Sequence, residues 1–376
     1  MEREEVIIIG GGPAGMTAAI HLAKNGIKTT VFEKETFPRH KVCGEYLSKE
    51  ILPYFGELDV NLNDLKPKNI TRMRYSSLNG RTLSTELPLG GLGVSRYGLD
   101  DLLYRTAVRS GVIVKEEKVS AVDFSDDHFI VNTSENTYKS RFVLGAYGKR
   151  DLLDKELGRS FFQKPSPWVA VKSHYEKDDF PDDLVELHNF KGGYCGLSKT
   201  ETGAVNVCYL ATYKSFRKMK DPELFREKVL RKNPFLDEFF SEAKEIFEKP
   251  MSIAQISFRR KDSVENHMLM IGDTAGLIHP LCGNGMAMAI QSARIASEVI
   301  LKQIQQKSPI REMVEKEYEQ RWQKEFNRRL TAGRYLQKVL LNDTLSNLSQ
   351  KALLKMPFLL PKIIEQTHGK PQKFQQ

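Results

Sequence analysis

The stretch Glu5-Val6-Ile7-Ile8-Ile9-Gly10-Gly11-Gly12-Pro13-Ala14-Gly15 decides the fold. Residues 5–9 lead into an apolar block that reads as a strand buried on both faces, as in a parallel sheet. A glycine turn with G-x-G-x-x-G spacing follows, then a helix from Ala14 to Asn25 with Gly26 in the C-cap position, then a strand over 28–33. This β-turn-α-β order is a right-handed parallel unit. Gly10 allows the tight turn, Gly12 lets the backbone approach a pyrophosphate, and Gly15 lets helix and strand pack closely. Pro13 and Ala14 open a helix whose free N–H groups and positive end face the phosphates. Glu33 stands 18 residues after Gly15, where its carboxylate can accept from a ribose 2′-OH. An acid there favours an unphosphorylated ribose, hence FAD or NAD over NADP.

Outward from this unit the period changes. Asn79-Gly80, between 73–78 and 81–87, predicts a hairpin because both turn residues tolerate positive φ. Residues 99–110 return to helical spacing, and 112–114, 121–124 and 129–133 read as short strands. A second antiparallel group is predicted over 168–176, 184–190, 193–198 and 204–212, followed by helices near 221–231 and 235–247. Residues 268–272 form another buried strand, and a helix runs over 285–305. The expected class is α/β. A Rossmann-type cofactor domain (1–65, 95–160 and 255–300) is interrupted by an antiparallel β-rich substrate domain (66–94 and 161–254). A basic helical C-terminal extension (301–376) closes the chain.

Composition narrows the function. Hydrophobic content of 40% and charged content of 28% are those of a globular protein. No apolar run reaches the roughly 18 residues of a membrane span. The start Met-Glu-Arg-Glu-Glu is no secretory leader. Cys43, Cys195, Cys208 and Cys282 lack C-x-x-C spacing, so no metal is expected and a reducing, cytoplasmic setting is. Residues 301–376 hold 15 Lys+Arg against 7 Asp+Glu, which is +8 of the net +9. The balanced body therefore argues against a nucleic-acid partner. Val314, Tyr318, Trp322, Phe326 and Leu330 repeat at i+4, as in an amphipathic helix packed across the cofactor domain. Leu353–Ile364 mixes apolar residues with lysines only, a pattern suited to peripheral contact with an anionic membrane.

Three further runs carry a family resemblance. Phe37-Pro38-Arg39-His40-Lys41-Val42-Cys43-Gly44-Glu45-Tyr46-Leu47-Ser48 resembles the geranylgeranyl-reductase-like branch of the FAD-dependent aromatic-hydroxylase superfamily. Ser95-Arg96-Tyr97-Gly98-Leu99-Asp100 resembles the segment that sets an Arg beside the cofactor. Ile271-Gly272-Asp273-Thr274-Ala275-Gly276, then His279-Pro280-Leu281-Cys282-Gly283-Asn284-Gly285-Met286, resembles the second FAD motif. The resemblance implies FAD rather than NAD. It gives Asp273 a ribityl hydroxyl and sets Gly283 and Gly285 against the pyrimidine edge of the flavin. It also points the helix from Asn284 at flavin N1 and C2=O. Lys34, Arg39, Cys43, Arg96, Gly148 and Met286 complete the expected cofactor contacts.

Departures from the pattern are informative. Many aromatic hydroxylases carry Asp-Gly where this chain has Tyr147-Gly148, which separates it from NADPH use in their manner. NAD(P)H remains the candidate electron donor. The Trp-rich run of halogenases is missing, since Trp168 and Trp322 are the only tryptophans, and the prenyl reductases' aromatic segment is echoed in part by 193–198. The catalytic candidates are Cys43 and Lys41, placed near the flavin by the resemblance, His279 as a proton carrier, and Tyr194 facing substrate. The expected activity is FAD-dependent redox chemistry on an apolar small molecule. Hydroxylation by a monooxygenase leads, ahead of reduction of isoprenoid double bonds and of flavin electron transfer at a membrane surface.

Overall fold

Val6, Ile7 and Ile8 are fully buried. They form the centre of the strand Glu2–Ile9, which pairs in parallel with Thr29–Phe32 on one side and Thr137–Gly145 on the other, Ile8 lying opposite both Val31 and Leu144. The computed structural model containing them describes residues 2–279, 282–305, 310–356, 358–366 and 368–369. The first sheet runs in the order Val264–Glu265, Met268–Met270, Thr137–Gly145, Glu2–Ile9, Thr29–Phe32 and Ile113–Lys115. The antiparallel strands Val119–Ser125 and His128–Thr133 branch from it at Thr137–Gly145. The helix Pro13–Lys24 is buried along its first ten residues, between this sheet and the helices Arg96–Arg109 and Gly285–Ile304. A helix covered this way needs apolar residues all round, which Met16, Ala18, Ala19, Ile20 and Leu22 supply.

The second sheet joins what the sequence presents as two groups. Its nine strands include the hairpin Lys68–Ser76 with Thr82–Gly93 and the strands Trp168–Glu176, Leu184–Phe190, Gly193–Lys199 and Val205–Thr212. The hairpin turns at Gly80, with φ +73°. One parallel pair, Leu187 opposite Tyr75, links the hairpin to the later strands, so the sheet is mixed rather than wholly antiparallel. Tyr46–Ser48 pairs with Thr82–Gly93 and so sits at the edge of this sheet. The helix expected over 235–247 ends at Glu242, because Lys244–Glu245 pairs with Tyr175 and Glu176. The strand expected over 268–272 ends at Met270, and Gly272, with φ +63°, turns the chain into a short 3-10 segment.

The helix Arg311–Leu341 buries Val314, Tyr318, Trp322, Phe326 and Leu330 against the first sheet's core. Two shorter helices follow, Asp343–Lys355 and Leu359–Glu365. Among the described residues no helix is long and apolar enough to cross a membrane.

Candidate active site

The glycine turn separates two jobs. A Cβ on Gly10 would stand 2.4 Å from the Ala146 carbonyl oxygen, and one on Gly15 would stand 1.9 Å from the Gly10 carbonyl oxygen. Both glycines are therefore demanded by packing. A Cβ on Gly12 meets nothing closer than the Arg96 guanidinium at 3.7 Å, so its backbone faces the open space a pyrophosphate needs. Glu33 accepts a hydrogen bond from the Gly11 amide at 2.9 Å. Arg39 lies 2.7 Å from the same carboxylate, so it braces Glu33 and does not itself line the cavity. Lys34 pairs with Asp151 at 2.8 Å.

The second half of the site begins where the first sheet ends. Gly272 donates its amide to Ser292 at 2.7 Å, and Gly148 donates to Thr274 Oγ1 at 2.8 Å, so two turns brought from distant segments are tied together. Asp273, Gly283, Gly285 and Met286 line the cavity at the start of the helix Gly285–Ile304. Asn284 is fully buried behind them and hydrogen-bonds Glu50. Lys261 donates to the carbonyls of Lys149 and Asp273 at 2.9 and 2.7 Å, and burial lowers its pKa to about 8.

Between these halves lies a polar cluster that sequence reasoning missed. Glu45, fully buried and with φ +53°, accepts from the Arg96 amide at 2.7 Å. Its other partners are Lys172 Nζ and, at 2.6 Å, His174 Nε2. Burial works against the carboxylate, yet the hydrogen bonds from His174 and Lys172 hold its pKa below the usual range. His40 stands edge-on to His174, ring centroids 5.2 Å apart, and burial beside Lys172 lowers its pKa. Arg96 grips Asp100 through two bonds of 2.7 and 2.6 Å, and this outweighs the burial that would otherwise depress its pKa. Cys43 Sγ accepts from the Glu45 amide at 3.5 Å, and burial lowers the Lys41 pKa. The motif quoted above contains His40 and Glu45, but Lys172 and His174, which bond Glu45, lie more than 120 residues away, so no local pattern signals the cluster.

One cavity of about 970 Å³ connects all of this. Of the residues singled out from the sequence, Gly10, Gly12, Pro13, Ala14, Glu33, Lys34, Lys41, Cys43, Arg96, Gly148, Tyr194, Asp273, Gly283, Gly285 and Met286 line it. Gly15, Arg39, Asn284 and His279 stand behind its wall. Part of its wall is apolar, formed by Leu187, Leu210, Ile253, Ile256 and Leu277, which pack in one cluster. Leu336, Val339, Leu353, Leu360 and Ile364 of the C-terminal helices close it. Tyr194, its pKa raised well above the ordinary value by burial, belongs to the apolar wall. His279 packs against Phe258, Tyr194 and Trp168, with ring centroids 4.8, 5.7 and 6.1 Å away. Neither of its nitrogens has a partner among the described residues, and burial lowers its pKa to about 3, so the ring is neutral near pH 7.

The glycine cradle, the acid at the end of the second strand and the second turn at Asp273 all fit FAD, and the comparisons agree. Residues 3–313 match the family described as FAD binding domain. Conditioned medium factor receptor 1 of Dictyostelium discoideum is 24% identical over 86% of this chain and 68% of its own. The menaquinone reductase of Mycobacterium tuberculosis is 24% identical over 79% and 76%. The digeranylgeranylglycerophospholipid reductase of Methanocaldococcus jannaschii is 26% identical over 89% and 86%. Among solved structures, a flavin-dependent brominase superposes with a TM-score of 0.80, at 19% identity and 97% and 93% coverage. A geranylgeranyl bacteriochlorophyll reductase-like protein of Thermoplasma acidophilum superposes with 0.75, at 21% identity and 97% and 98% coverage. The chain belongs to the FAD binding domain family and is an FAD-dependent oxidoreductase of the superfamily that holds the flavin halogenases and the geranylgeranyl reductases.

Proposed function

We propose that this oxidoreductase reduces double bonds in an extended, isoprenoid-type apolar substrate, with NAD(P)H as the source of electrons. The observation that carries the reading is that apolar side chains of the second sheet and of the C-terminal helices line the same cavity as the residues assigned to the cofactor. Bound FAD supplies hydride transfer. The protein's own residues bind, orient and handle protons. Gly12 and Arg96 hold the pyrophosphate region, and Asp273 takes a ribityl hydroxyl. Leu187, Leu210 and Ile253 exclude water from the substrate. The buried Glu45, with Lys172, His174 and His40, is a polar network beside the cavity able to hold a proton. The names of the menaquinone and digeranylgeranylglycerophospholipid reductases support an isoprenoid lipid as substrate class.

Hydroxylation is the second reading, and the incomplete aromatic segment at Gly193–Ser198 favours it. The test starts from yellow protein whose FAD is released by heat. Reduced protein is offered a geranylgeranyl lipid without oxygen, or oxygen with the same lipid. Anaerobic reoxidation with one double bond of the lipid reduced per flavin is expected. Reoxidation only by oxygen, with a hydroxylated product, would overturn the reductase reading.

A further inference from the structure

The last two helices have two unlike faces. Ser349, Leu353, Leu360 and Ile364 line the cavity. The adjoining surface carries Leu345, Leu348, Met356 and Phe358 at 45, 64, 41 and 61% exposure. So many large apolar side chains on one water-facing stretch mark an interaction surface. Lys338, Lys351, Lys355 and Lys362 stand among them, exposed and without an ion pair among the described residues. The segment after the last helix is tied to the body through the Gly369 amide on the buried Glu50 carboxylate, which also accepts from Arg329 at 3.2 Å.

Charge selects the occupant. A second copy of this chain would bring its own lysines against these, which is repulsive. An anionic bilayer offers phosphates to the lysines and hydrocarbon to the apolar residues at once, and no described helix is built to go further and span it. We propose that this surface docks on an anionic lipid bilayer, with Leu348, Met356 and Phe358 entering the headgroup boundary and Lys351, Lys355 and Lys362 meeting lipid phosphates. Docking stands independently of the reaction. Delivery of a lipid into the cavity on the inner side of the same helices rests on the isoprenoid reading above.

The experiment is vesicle flotation of the full-length, FAD-loaded protein. Phosphatidylcholine vesicles are compared with vesicles that also contain phosphatidylglycerol, in salt raised from about 0.1 to about 1 M, where the Debye length falls from roughly 10 to roughly 3 Å. Binding to the anionic vesicles alone, lost at high salt, is expected. Each of Lys351→Gln, Lys355→Gln and Lys362→Gln should weaken it about fivefold. The pair Leu348→Ser with Phe358→Ser should abolish it, with the melting temperature unchanged because both side chains face water. Equal binding to both vesicle types, no binding to either, or lysine variants that bind like the native chain would overturn the proposal. A dimer in light scattering that Leu348→Ser with Phe358→Ser dissolves would also overturn it, assigning the face to a second copy.

Discussion

At the scale of single residues, the two inner glycines of the turn ask for opposite experiments. Gly12 has φ −77° and ψ −174°, a backbone any residue adopts, and its Cβ would enter open space. Gly12→Val should therefore keep the stability of the apoprotein within about 0.5 kcal/mol while losing bound FAD, because the new side chain fills the cradle. Gly15→Ala puts its Cβ 1.9 Å from the Gly10 carbonyl oxygen, so helix and strand must part. Overpacking of this kind costs roughly 1–3 kcal/mol. Thermal unfolding of apoproteins beside flavin absorbance separates the two. A Gly12→Val protein as yellow as the native one would show that this loop is not the phosphate cradle.

At the scale of elements, the C-terminal helices act as part of the cavity wall. Leu353, Leu360 and Ile364 face the cavity, and Gly369 donates to the buried Glu50. Deleting residues 345–376 should lower the melting temperature by several degrees and raise binding of a hydrophobic dye, since apolar wall residues such as Leu336 and Val339 would face water. An unchanged melting temperature with no added dye binding would mean that these helices contribute nothing to the wall. The helix before them was legible from its i+4 apolar stripe. Their position over the cavity was not, because a short amphipathic helix carries no sign of which surface it closes.

At the scale of the whole molecule, acid sensitivity follows from buried titratable groups. Burial lowers His21 to about 4 and His279 to about 3. As pH falls below about 6.5, the unfolded chain takes up protons at both histidines and the folded chain does not. Stability present above pH 6.5 is therefore lost progressively as pH falls toward 4 and then 3, by about 1.4 kcal/mol per pH unit for each histidine. Glu45, held below its ordinary value, adds to the loss once pH falls through the usual carboxylate range. Glu50, raised by burial, acts in the opposite sense. Urea unfolding from pH 7 to 4 checks the sum, and Ala at His21 and at His279 should each flatten the slope by about one proton. A native protein whose stability is level over that range would refute the assignment of neutral, buried histidines.

Sequence alone determined the cofactor unit, because its signals are local. The run Val6–Ile9, the glycine spacing and Glu33 lie within one βαβ unit, and each reports a backbone or hydrogen-bonding demand made by its immediate neighbours. The hairpin at Asn79-Gly80 was legible for the same reason. Tertiary structure decided what depends on distant segments meeting. The strand Thr137–Gly145, which the sequence reading did not predict, sits at the centre of its sheet between Glu2–Ile9 and Met268–Met270. Arg39 braces Glu33, and His279 withdraws behind Tyr194 and Phe258. Glu45 finds Lys172 and His174 only when the second sheet swings against the loop after the second strand. A buried carboxylate needs partners from whatever packs beside it, and which segment that is depends on the sheet topology, a property of the folded chain that no window of sequence contains.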